Sequence, residues 1–129
     1  MDFYNIYERH CRWSKKAFGP TENRSIDGVI EHLRLELDEV KEAAEALEKA
    51  HREAPGSRFA AMERQRISSE FTFEVADIII LAMEMAHVMG VPVTQLCALL
   101  IKKQDMNESR KWPAIEDQEP GKPIEHLDD

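Results

Sequence analysis

The segment Phe71–Leu81, FTFEVADIIIL, spaces apolar residues as a buried helix does, yet it carries two acids, Glu74 and Asp77. It sits inside a longer helical stretch, from Ala60 to Met89, that is apolar around most of its circumference between Val75 and Met85. Such a helix has to be covered on several sides. Nothing in the rest of the chain offers the apolar–polar alternation of a strand, so the cover must also be helical. Helices are expected from Phe3 to Ala17, from Asp27 as N-cap to Glu53, from Ala60 to Met89, and from the Pro92 turn to about Lys111. The breaks are APGS at residues 54–57 and GVPV at residues 90–93, with Gly90 as a helix stop. The expected fold is all-α, an antiparallel bundle of about four helices whose two long middle members form a hairpin. Four helices from one small chain do not suffice to cover the third, so a homodimer or homotetramer is expected. Residues 1–112 read as one domain. Residues 113–129, acidic and with three prolines, read as an extended or mobile tail.

Composition narrows the function. A chain of 129 residues, 43% hydrophobic and 33% charged, can bury one core and has a soluble balance. The net charge of −8 argues against a nucleic acid polymer as partner, because binding the phosphate backbone needs basic surface. A small polyanion accompanied by a divalent cation remains compatible. No apolar run reaches the roughly 18 residues needed to span a membrane. The opening MDFYNIYERH is not a signal peptide, so a cytoplasmic location is expected. Cys11 and Cys97 form no CxxC, which leaves no disulfide framework or zinc motif.

A buried carboxylate is costly unless a charge or metal compensates it, so the direction of the acids matters. At about 100° per residue, Ile67, Phe71, Ile78, Leu81 and Met85 form one stripe of the third helix, and Glu74 falls in its middle. Asp77 lies roughly 60° to one side. On the second helix Val29, Leu33, Leu37, Val40, Ala44 and Leu47 form the seam. Glu36 lies about 60° from its centre and Glu39 about 120°, with His32 between them in angle. Each pair has a bland reading: Glu36 and Glu39 as solvated acids, Glu74 and Asp77 as half of a buried ion pair with Arg or Lys. Taken together, the four carboxylates point to a site for a hard divalent cation, Mg²⁺ or alternatively Mn²⁺.

The fourth helix carries an apolar stripe, Leu96, Leu99 and Leu100, that continues into Lys103, Asn107 and Arg110. Cations suit any helix C-terminus. They also suit phosphate oxygens, and an acidic metal cradle with a cationic clamp is what a metal–triphosphate complex requires.

Four blocks in order, RWSKKAFG from Arg12, HLRLELDE from His32 to Glu39, FEVAD from Phe73 to Asp77 and KKQDMNESRKWP from Lys102 to Pro113, resemble the MazG-like all-α nucleoside triphosphate pyrophosphohydrolases. The first block is similar to the opening of the phage-type dATP/dGTP branch. The resemblance implies Mg²⁺-dependent cleavage of a nucleoside triphosphate, with purine deoxynucleotides as candidate substrates, to the monophosphate and pyrophosphate. It implies that Glu36, Glu39, Glu74 and Asp77 are metal ligands and catalytic residues, and that Lys103, Asn107 and Arg110 contact phosphate or nucleotide. The MazG pattern often has a further Glu where this chain has Leu35, and the span from Glu39 to Glu74 is longer than in compact members. The longer span makes the phage-type branch the better comparison.

The remaining features have two readings each. His32, one turn before Glu36, is either a partner to that carboxylate at the substrate site or a surface histidine. Trp13 is either a base-stacking residue or part of the core or lid. EMAH, Glu84 to His87, is half of a di-iron motif with no second half in the chain, and reads more simply as part of a Met-rich packing face. A non-catalytic helical dimer with a binding or regulatory role is the alternative to the enzyme.

Overall fold

A computed structural model of the protein describes residues 2–53 and 58–127. The expected all-α class is observed, and no strand occurs among the described residues. The helices are α1 (Phe3–Phe18), α2 (Ile26–Glu53), α3 (Arg58–Val88) and α4 (Val93–Ser109), with single 3₁₀ turns at Thr21–Asn23 and Ile115–Asp117. The break expected at residues 54–57 lies outside the described residues. The chain divides into two compact units, Met1–Val93 and Thr94–Asp129.

In the first unit α2 and α3 pack along their length, and α1 packs on α3. The hairpin is antiparallel: residues 46–53 share a cleft with residues 60–67, and Glu36 shares a cavity with Asp77. Val29 of α2 with Leu81 and Val88 of α3 form the buried apolar cluster, extended by Ile26, Leu33 and Met85. Tyr7 of α1 is fully buried, and its hydroxyl donates to the Val91 carbonyl at 2.8 Å, tying α1 to the turn that ends α3. That turn uses Gly90 as expected. Its φ of +72° lies in the left-handed region, and Val91 N–H reaches back to Ala86 O at 2.9 Å.

Three boundaries differ from the sequence reading, each for a local reason. Helix α2 starts at Ile26, not after Asp27, because Ser25 Oγ accepts from the Asp27 N–H at 3.2 Å and takes the capping role. At the end of α4 the Trp112 indole N–H captures the Asn107 carbonyl at 2.7 Å, and the helix stops at Ser109. Residues 113–127 are not simply extended: they turn at Ile115–Asp117, and Leu127 N–H returns to Lys111 O at 2.9 Å, with His126 edge-on to Trp112. Among the described residues no helix is long and apolar enough to cross a membrane.

Candidate active site

Register along the α2–α3 hairpin decides which acids meet. Glu36, Glu39 and Glu74 each bring one carboxylate oxygen within 4.8 Å of the others. Glu36 and Glu39, one turn apart on α2, present their carboxylates to one level of α3, where Glu74 lies. Glu74 is half-buried and Glu39 is exposed. The Glu36 side chain is 16% exposed, and its Oε1 is 3.1 Å from His32 Nε2. Among the described residues, Glu36 Oε2 and Glu74 Oε2 are buried without a hydrogen-bond partner. Among the described residues, no Lys or Arg pairs with Glu74. The ion-pair reading considered for it therefore has no partner.

Electrostatics bear the strain of this arrangement. Burial, followed by the charges of Glu39, Asp77 and Glu36, pushes the Glu74 carboxyl above the ordinary range, and a hydrogen bond shared with Glu39 adds to the shift. Two orphaned carboxylate oxygens in an all-oxygen donor set fit a hard divalent cation such as Mg²⁺ or Mn²⁺.

A cavity of about 550 Å³ adjoins the acids within the first unit. Glu36 and Asp77 form part of its wall, so Asp77 stands on the cavity side of the cluster, and His32 lines it too. Trp13 and Phe18 line another part, edge to face at 5.2 Å and both more than half exposed. The volume is in the range of small-molecule sites, and carboxylates on one wall with aromatic rings on another suit a ligand with a charged end and a flat end.

His10, Arg24 and Glu84, which also line this cavity, belong to a cluster that the sequence reading missed. Glu84 is buried at 5% exposure. Ser14 Oγ donates to its Oε1 at 2.7 Å, Arg24 Nη1 lies 2.6 Å from the same oxygen, and His10 Nε2 is 2.5 Å from Oε2. Arg24 Nη1 also donates to Ser14 Oγ at 2.8 Å. Burial raises the Glu84 carboxyl, but hydrogen bonds from Ser14, His10 and Arg24 outweigh it and hold the group below the ordinary range. The buried acid–arginine pair of the bland reading of Glu74 exists instead at Glu84, ten residues further along α3. A signal was available: Tyr7, His10 and Ser14, at i, i+3 and i+7, are the buried positions of α1, and two of them are polar. Instead of serving half of a di-iron motif, Glu84 is occupied by hydrogen bonds.

A family model described as dATP/dGTP pyrophosphohydrolase matches residues 60–129, just over half of the chain. The chain belongs to this family. Comparison with curated proteins and with solved structures gives no match. As a member, the protein is an enzyme, a nucleoside triphosphate pyrophosphohydrolase acting on acid anhydrides, and not a non-catalytic dimer. The match covers Glu74, Asp77, Glu84, Lys103, Asn107 and Arg110, and it leaves out Trp13, His32, Glu36 and Glu39. In this pyrophosphohydrolase it is the hairpin geometry that joins Glu36 and Glu39 to the matched half. Lys103, Asn107 and Arg110 belong to the second unit, where Lys103 is exposed and the other two are half-buried.

Proposed function

We propose that the protein hydrolyses purine deoxynucleoside triphosphates to monophosphate and pyrophosphate, using a divalent cation held by Glu36, Glu39 and Glu74 with Asp77 beside them. The observation that carries this reading is the convergence of three carboxylates, two with oxygens buried and unpartnered among the described residues, beside a cavity that Glu36 and Asp77 line together with Trp13 and Phe18. When bound, Mg²⁺ or Mn²⁺ supplies polarisation of phosphate oxygens and acidifies water. The chain's own residues do the rest. Glu36 and Glu74 each bring a carboxylate oxygen into the cluster, and His32 steadies Oε1 of Glu36. Glu39, the most exposed of the three, takes the proton from water as its oxygen bonds to phosphorus. The bond between the α and β phosphates breaks, and the electron pair leaves on the bridging oxygen of pyrophosphate. Trp13 stacks on the base. By side-chain chemistry alone, Lys103 and Arg110 are the phosphate-neutralising residues of this reading, and Asn107 a hydrogen-bonding contact to phosphate or nucleotide.

A homodimer or homotetramer belongs to the same proposal. Phe73 is 75% exposed and Ile79 50% exposed on the most apolar helix, more bare ring and branched chain than a solvated helix face favours. Residence in the cytoplasm would put the enzyme beside its substrate.

The deciding experiment is pyrophosphate release from a panel of ribo- and deoxynucleoside triphosphates, with Mg²⁺, with Mn²⁺ and with chelator. Release from purine deoxynucleotides, abolished by chelator and restored by Mg²⁺, is the expected result. Release that survives exhaustive chelation removes the cation from the reading, and preference for pyrimidines removes the purine assignment.

A further inference from the structure

Arg24 is attached to the cavity wall in an unusual way. Its side chain is 17% exposed, and its Nη1 is held twice, by Ser14 Oγ and by Glu84 Oε1. Its Cζ lies 5.0 Å from the centre of the Phe18 ring, so the guanidinium is also held from the ring side. A guanidinium has five N–H donors and no acceptor. The two on Nη1 are used by these bonds, which leaves those on Nη2 and Nε for a ligand in the cavity that Arg24 lines. Glu84 has no such spare capacity. Both its oxygens are engaged and it is buried, so it acts on a ligand only through the arginine and histidine it fixes.

A fixed, donor-only fork discriminates between purines. Guanine presents two acceptors on one edge, O6 and N7, whereas adenine presents N7 beside an amino donor at N6. A donor facing a donor leaves both unpaired in a partly buried site, which costs more than a missing contact.

Resting on the assignment of this cavity to the nucleoside, we propose that Arg24 reads the O6/N7 edge of guanine and makes dGTP the preferred substrate over dATP, with Glu84 as the positioning residue that holds the guanidinium in place.

The test is steady-state kinetics of pyrophosphate release with Mg²⁺ on dGTP, dITP, 7-deaza-dGTP and dATP. The wild-type protein should favour dGTP over dATP by about tenfold or more in kcat/KM, the discrimination expected of one bidentate arginine–guanine pair. dITP, which keeps O6 and N7 but lacks the 2-amino group, should behave as dGTP, and 7-deaza-dGTP should lose most of the advantage. Arg24→Met should bring the dGTP to dATP ratio close to one, chiefly by raising KM for dGTP. Arg24→Lys keeps the charge without the fork and should fall between. Glu84→Gln should lower the ratio although Arg24 is still present, which a purely structural role for Glu84 would not do. Circular dichroism checks that each variant folds; if Arg24→Met does not, the analogue series on wild-type protein decides. Equal use of dGTP and dATP by the wild type, or a dITP that behaves as dATP, overturns the proposal while leaving the hydrolase reading intact. Release from none of the four nucleotides overturns both.

Discussion

Two glutamates ten residues apart on α3 meet opposite fates. Glu84 is enclosed by a hydroxyl, an imidazole and a guanidinium, and its carboxyl is held below the ordinary range. Glu74 is surrounded by other acids, has a buried oxygen with no partner, and is pushed above that range. The residue type and the helix are the same, so the difference comes from what α1 and α2 bring to each level. A carboxylate whose partners come from the protein is part of the fold. One crowded by other acids, with an oxygen left unpartnered among the described residues, is not accounted for by the fold and marks a candidate site.

The sharpest way to break the contrast is to delete the satisfied acid. Glu84→Ala leaves Arg24 and His10 facing a buried gap, and should destabilise the protein by about 3 kcal/mol, the lower end for breaking a buried ion pair. Urea unfolding measures this, and a loss below about 1 kcal/mol would mean the cluster is not the anchor described here.

Glu74→Gln should do the reverse to stability. In chelator its melting temperature should exceed that of wild type, because a repelled charge has gone, while the rise produced by Mg²⁺ should vanish and activity should fall by at least about 100-fold, the upper end for residues merely supporting a metal ligand. A variant with near-normal turnover and an intact Mg²⁺ response would remove Glu74 from the site.

The two acids should also respond oppositely to pH when no cation is present. The depressed Glu84 carboxyl contributes stability that is complete above the ordinary carboxylate range and lost as pH falls through its folded-state value. The raised Glu74 carboxyl contributes stability that is present below that range and lost as pH rises through its folded-state value. Melting curves across pH in chelator should therefore show Glu84→Gln losing part of the wild-type acid sensitivity, and Glu74→Gln losing part of the decline toward neutral pH. Parallel profiles for the two variants would erase the distinction.

The smallest effect is expected at the cavity mouth. Trp13 is 52% exposed, so Trp13→Ala should leave folding nearly unchanged and raise KM about fivefold, through loss of one stacking contact. An unchanged KM would return Trp13 to the bland reading of a lid residue.

Much of this was legible in the residues. The 3.6-residue period and the Gly90 stop marked the helices to within a few positions, because local sterics and backbone hydrogen bonds set both. Glu74 stood out because an acid on an apolar stripe breaks a rule that ordinary helices obey, and the match over residues 60–129 agrees with the resemblance drawn from short blocks. The helix starts and stops that moved did so through single side chains, Ser25 and Trp112, whose hydrogen bonds compete locally with many alternatives.

From its sequence alone, then, this protein was determined to be a helical hydrolase with misplaced acids, since periodicity, charge and motif order are properties of neighbours along the chain. Only the tertiary structure decided which acid found a cation and which did not. That depends on the register of the α2–α3 hairpin and on α1 and Arg24 meeting Glu84, contacts between residues up to 74 positions apart, which no local pattern encodes.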